Sequence, residues 1–303
     1  DFPLPFGDVV ATLFGGGSPE SSFIVETLRL PRGLAAVLVG AGFGVSGAIF
    51  QRLAHNPLAS PDIIGVTAGA AACAVFVIVV LDGNGLDVTW GALVGSALTS
   101  IAVYLLSYRR GVTGYRLVLV GIGVTAVLTA VTQYLLVRAE IFEAQRAVVW
   151  LTGSLNGRGW DEVRPMAVAL AVLLPVAFGL ARHLRLLELG DDTAKGLGGR
   201  VELSRAALLL IGVALAAVGT ASAGPIGFVA LVSPQVARRL VGARTVALAP
   251  SAACGALLLV ASDLVARRLF APTELPVGVI TAILGAPYLL FLLARANKVG
   301  RGG

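Results

Sequence analysis

The chain has 303 residues, of which 57% are apolar, 13% are charged and 38 are glycine, with a formal net charge of +6 and a mean hydropathy of +0.89. A soluble domain carries about 25% charged residues, so the composition excludes a water-covered globule, and it also excludes a disordered chain, a collagenous repeat and a disulfide scaffold. The positive balance points to membrane topology rather than to nucleic acid, because basic residues collect in the cytoplasmic loops of membrane proteins.

A hydrocarbon core about 30 Å thick needs roughly 20 helical residues. Nine runs whose interiors are free of charge meet or approach that length, over residues 33–51, 63–81, 90–107, 116–137, 165–182, 206–222, 226–240, 247–262 and 277–294. The expected fold is therefore all-α, a polytopic transmembrane helical bundle forming a single domain over 1–303, since lipid-facing backbone must satisfy its own hydrogen bonds. The seventh run is interrupted by Pro225 at its start and Pro234 inside. With the C-terminus cytoplasmic, 15 of the 23 basic residues and only 5 of the 17 acidic ones fall on the inner side, which sets the orientation. Nine spans then leave the N-terminus outside. We expect one further span before Asp1, with residues 1–32 an external segment after it.

None of the nine runs places an Asp, Glu, Lys, Arg or His near its middle. That argues against a proton- or ion-coupled secondary carrier, although a carrier that holds sodium by hydroxyls and carbonyls stays open. Thr125, Thr129 and Gln133 share one face of a run, which fits either helix packing or a polar translocation path. Gly40, Gly44 and Gly47 have the spacing of close-packed helices. Gly44-Val45-Ser46-Gly47 matches the pattern around an intramembrane serine nucleophile, but no histidine lies at membrane depth to serve as its base. No metal-ligand cluster, resident cofactor motif or phosphate-binding loop occurs. Any nucleotide that drives the protein must be bound by another chain.

Two sets of loop residues carry further information. Residues 182–205 form the longest inner loop, where leucines flank Gly190 and Gly198. This suggests two short helices, either as a plain structured loop or as a docking element for a cytoplasmic partner. On the outer side Arg29, Arg32, Arg267 and Arg268 lie at span ends. They fit either snorkelling side chains or a basic rim that recognises carboxylates on a partner.

The stretches RLPRGLAA (29–36), GAIFQRLAHNPLASP (47–61), IGVTAG (64–69), GSL (153–155), LGDDTAKGLG (189–198), GPIGFVALVSPQVARRL (224–240) and ASDLVARRLFAPTELPVGVITAIL (261–284) follow one another in order. Together they resemble the FecCD/BtuC type of ABC importer permease, which takes up iron siderophores, haem and vitamin B12. The resemblance implies a BtuC-like fold of ten spans, no catalytic residue, and a permease that pairs with a second, identical or related, permease subunit in the bacterial inner membrane. It also implies two cytoplasmic ATPase subunits and a periplasmic or lipid-anchored solute-binding protein. Carried onto this sequence, the family's ATPase-coupling residues become Leu189, Gly190, Asp191, Asp192, Ala194, Leu197 and Gly198. Its binding-protein docking arginines become Arg29, Arg32 and Arg267, and its cytoplasmic gate becomes Gly111, Val112, Thr113, Gly114 and Tyr115. Where many members read Pro-His, this chain has Pro234-Gln235, and SPQVARRL is similar to the enterobactin-type permeases. That similarity favours ferric siderophore as cargo over haem or cobalamin.

Overall fold

The computed structural model describes residues 4–62, 64–108, 114–242 and 247–299. Its helices are α1 (Phe6–Leu13), α2 (Pro19–Ser22), α3 (Leu30–Leu53), α4 (Val66–Val80), α5 (Leu86–Ser107), α6 (Gly114–Arg138), α7 (Ile141–Leu151), α8 (Trp160–Gly179), α9 (Ala181–Glu188), α10 (Asp191–Gly196), α11 (Val201–Ala223), α12 (Val229–Val241), α13 (Leu248–Arg268) and α14 (Val277–Val299), with a π-helical turn at Phe23–Arg29 between α2 and α3. No strand occurs among the described residues. Below, the end of the bundle that carries Arg32 and α7 is called upper, and the end that carries α9 and α10 is called lower.

Each of the nine apolar runs overlaps a helix, but the helices are not uniform spans. Among the described residues, six helical stretches are long and apolar enough to cross a membrane. The first of them runs unbroken from Pro19 to Leu53, 35 residues in all, so it starts well before the expected 33. The charges and Pro31 conceal this in the sequence, because proline normally clashes with the carbonyl four residues earlier. A π-turn directly before it widens the ladder at that point. The seventh run differs most. Gly224–Phe228 is not helical, and α12 then covers only 13 residues, about 20 Å. Non-helical backbone is tolerated at membrane depth only when protein surrounds it, and here Ala223 and Ile226 are buried while the Ala223 carbonyl accepts from the Ser154 N–H at 2.8 Å.

The core is organised around α3. Of the apolar window in Pro19–Leu53, 72% is buried, against 17% for α6, so α3 is the axis of the bundle and α6 is peripheral. The glycine stripe explains how neighbours come so close: a Cβ on Gly44 would overlap the Ser251 carbonyl of α13, and one on Gly47 the Ala230 carbonyl of α12. Side-chain hydroxyls and amides then tie the packed helices together. Ser46 donates to the Gly212 carbonyl at 2.7 Å and Gln51 to the Leu231 carbonyl at 2.9 Å. Ser46 is thus a buried helix–helix donor, which leaves no catalytic use for the match around it. Cys73 and Cys254 are free thiols.

One element escapes the sequence pattern. α7 has 11 residues and includes Glu143, Gln145 and Arg146, too short and too polar to register as a span. Its start is capped by Glu143, whose carboxylate accepts from the Glu140 N–H at 3.3 Å.

Candidate functional site

At the lower end, α9 and α10 form a small helical hairpin against the bundle. α9 buries Leu184 and Leu187, and α10 buries Ala194. Gly190, at φ +90°, makes the turn between them and Gly198, at φ +80°, ends α10; only glycine adopts both conformations without steric cost. The hairpin is pinned twice. Arg205 of α11 pairs with Asp191 at 2.6 Å and with Glu202 at 3.3 Å. Arg52, near the end of α3, lies 2.6 Å from Glu188, an ion pair outside hydrogen-bond angles. Arg238 of α12 donates to Gln51 of α3 at 3.3 Å. Two leucines stand among the polar residues that the hairpin leaves to solvent: Leu189 is 58% and Leu197 63% exposed, with Arg185, Asp192, Thr193 and Lys195 exposed beside them.

The loop between α3 and α4 closes the same end. Gln235 donates to the Pro57 carbonyl at 2.7 Å, so its amide holds this loop to α12. Thr67 donates to the Asp62 carboxylate, and burial pushes that carboxyl above its ordinary range while the Thr67 hydroxyl opposes the shift. Of the residues expected to form a cytoplasmic gate, Gly111, Val112 and Thr113 lie outside the described residues. Gly114 opens α6 and Tyr115 follows it, 81% exposed. Further along α6, Thr129 and Gln133 are exposed, whereas the Thr125 hydroxyl is buried and faces no partner within the described residues. The three therefore do not share one environment, although they share a helix face.

At the upper end the arginines divide. Arg32 is only 9% exposed and spends its guanidinium inside the chain: Nε and Nη2 donate to Asp263 at 3.1 and 2.9 Å, and Nη1 to Glu274 at 2.7 Å. Arg267 reaches the same Asp263 carboxylate at 3.1 Å. Within the described residues the Arg32 guanidinium is thus engaged by Asp263 and Glu274. Arg29 and Arg267 are half-exposed and Arg268 is exposed.

Several of these partners escape sequence reading. Asp263 and Glu274 lie more than 230 residues from Arg32, so no local spacing announces them. Glu188 looks like an ordinary loop acid. The usable signal is that Asp263 stands at the end of an apolar run, where an acid costs most unless it is paired. Among the described residues no cluster of three metal-ligating side chains occurs.

Comparisons with known proteins agree with this architecture. The sequence matches the FecCD transport family over residues 1–295. It is 46% identical over 296 residues to the ferric enterobactin transport system permease protein FepG of Escherichia coli K12, covering 97% of this chain and 89% of that protein. It is 41% identical over 303 residues to the siderophore transport system permease protein YfhA of Bacillus subtilis, covering 97% and 88%. The fold superposes with a TM-score of 0.86, at 30% identity and with 92% and 89% covered, on a structure described as an inward-facing conformation of a metal-chelate type ABC transporter. With a helical bundle built around α3 and a family match across nearly its whole length, this chain belongs to the FecCD transport family, as a multi-pass membrane protein.

Proposed function

We propose that this chain is the membrane-spanning subunit of an ATP-driven importer that carries ferric siderophore into the bacterial cytoplasm. The observation that carries the reading is the α9–α10 hairpin, firmly pinned to the bundle yet presenting two bare leucines. A soluble protein gripping Leu189 and Leu197 would move α3 through the Arg52–Glu188 pair and α11 through the Arg205–Asp191 pair. Rigid-body rocking needs such a lever. Two cytoplasmic ATPase subunits fit that role, one on each of two permease subunits. The distribution of basic residues supports a cytoplasmic side for the hairpin, the gate at Gly111–Tyr115 and the C-terminus, with the inner membrane as the bilayer crossed.

The exposure of α6 supports a second permease subunit, with Thr129 and Gln133 lining the space between the two and Thr125 behind them. On the outer side Arg29 and Arg267 are the docking groups for a solute-binding protein that presents carboxylates, and Arg32 positions Arg267 from behind through their shared Asp263. The siderophore assignment is supported by relatives whose names specify that cargo; Gln235 adds nothing to it by contact, since its amide is engaged with Pro57. The test is uptake of ferric siderophore into proteoliposomes that contain this chain, a second permease subunit, the ATPase and the binding protein. Uptake that requires ATP is expected, and uphill uptake without the ATPase would overturn the proposal.

A further inference from the structure

Near the upper end a cavity of about 160 Å³ lies between the loop after α4, helix α7 and the loop before α8, and Ile78, Asn84, Val88, Arg146, Trp150 and Arg158 line it. One water needs roughly 10–15 Å³, so the space admits a planar head group several atoms across. The two arginines are not equivalent. Arg146 is engaged, at 2.6 Å from Asp82 and 2.5 Å from the Asn84 side-chain oxygen, and these bonds hold the loop after α4 against α7. Arg158 forms no such pair. Its Nε is shut away from solvent and meets no acceptor among the described residues, and a buried guanidinium N–H without a partner is costly. Glu162 is the nearby acid, and one of its oxygens caps the Gly159 N–H at 3.0 Å. Burial pushes the Arg158 guanidinium below its ordinary value, with Glu162 opposing. A guanidinium next to a tryptophan in a small, mostly apolar cavity has the chemistry to hold a planar oxyanion by paired hydrogen bonds.

We propose that this cavity is an oxyanion-binding site, that Arg158 is its binding residue, and that its ligand is a planar carboxylate or catecholate head. The site itself stands on the geometry of this chain; only its assignment to an incoming iron chelate rests on the importer reading above. The loop that bears Arg158 is also well placed to report occupancy. A Cβ on Gly153 would overlap the Pro225 carbonyl, the Ser154 N–H donates to Ala223 at 2.8 Å, and the Gly153 carbonyl accepts from Gly278 at the start of α14 at 3.0 Å. A ligand on Arg158 therefore bears on the break between α11 and α12 and on α14 together.

The probe is salicylate, planar and anionic, titrated against the purified chain in lipid nanodiscs by saturation-transfer NMR, with neutral salicylamide as control. Saturable salicylate binding is expected, weakened at least about tenfold in Arg158→Gln and for salicylamide, the loss of one charge-assisted contact, and only partly kept in Arg158→Lys, which retains the charge but not the planar fork. If Arg158→Gln does not fold, Asn84→Trp, at an exposed rim position, blocks the mouth and should abolish the signal with Arg158 intact. Absence of saturable binding to the wild type, or equal binding in Arg158→Gln, would overturn the proposal. The source of the oxyanion is read in proteoliposomes. A raised KM for chelate with unchanged docking of the binding protein identifies the cargo, whereas weakened docking identifies a carboxylate of the binding protein; each supports the site. Should the wild type show no ATP-driven uptake, the importer reading falls while the salicylate titration still decides the cavity.

Discussion

At the upper end Arg32 and Asp263 pair in the interior, and the more open Glu274 and Arg267 complete the cluster at its rim. At the lower end Glu188 and Asp191 pin the hairpin, and Leu189 and Leu197 stand in the open. Both ends contain a conspicuous group of charged residues in the sequence, and counting charges makes them look alike. Geometry separates them: a cluster centred on the buried Arg32–Asp263 pair ties α3 to α13 and to the loop before α14, while an exposed leucine pair on a braced hairpin is free to bind something. The expected roles therefore shift from the charges themselves to what the charges hold in place.

The largest effect should come from breaking the upper cluster. Asp263→Ala leaves Arg32 buried without its main partner, and removing one member of a buried pair costs about 3–5 kcal/mol. Thermal unfolding of the purified variant should show that loss, and replacing Arg32 by Met as well should recover part of it. If Asp263→Ala unfolds like the wild type, the cluster is not a clamp.

At the lower end the comparison predicts the opposite pattern. Leu189→Asp and Leu197→Asp should leave thermal stability within about 0.5 kcal/mol of wild type, as surface substitutions do. Yet they should reduce the amount of copurifying ATPase by at least about tenfold, a shift of some 1.4 kcal/mol or more. Retained ATPase would assign the hairpin a purely structural role. The two aspartates sharpen the same point: Asp191→Lys breaks the pair with Arg205 and should cost stability as well as coupling, whereas Asp192→Lys should affect coupling alone. Equal effects on both would dissolve the distinction between brace and docking face.

How much of this was legible in the sequence follows from the range of the interactions. Spans were legible because a hydrophobic run is a local signal, and so were the hairpin's glycine breaks. The upward extension of α3 to Pro19 was hidden by Pro31, whose helix-breaking reputation is undone by a π-turn that only the folded backbone displays. α7 was missed because 11 residues with three polar side chains are too short for a span signal. The partners of Arg32 were out of reach for a different reason, since pairing across more than 230 residues is decided by how α13 packs on α3 and not by any motif. The glycines at 40, 44 and 47 were read as packing residues, and the close approach of α12 and α13 explains their spacing.

The smallest expected effect concerns Asp62, in the loop that closes the lower end. Burial raises its carboxyl above the ordinary value of 3.8. An acid raised in the folded state supports folding most at a pH below its unfolded value, and that support is lost as pH rises through the folded value. The wild type should therefore lose stability on going from about pH 4 toward neutrality, until Asp62 is ionised in both states. Asp62→Asn removes the charge but keeps an oxygen to accept from Thr67, so its melting temperature at pH 7 should rise by roughly 2–4 °C for each kcal/mol of relief and should vary less with pH over that interval. A wild type whose unfolding temperature rises steadily from pH 4 to pH 7, unaltered by Asp62→Asn, would mean that Asp62 is solvated in the membrane-bound protein and that the closure of this loop rests on Gln235 instead.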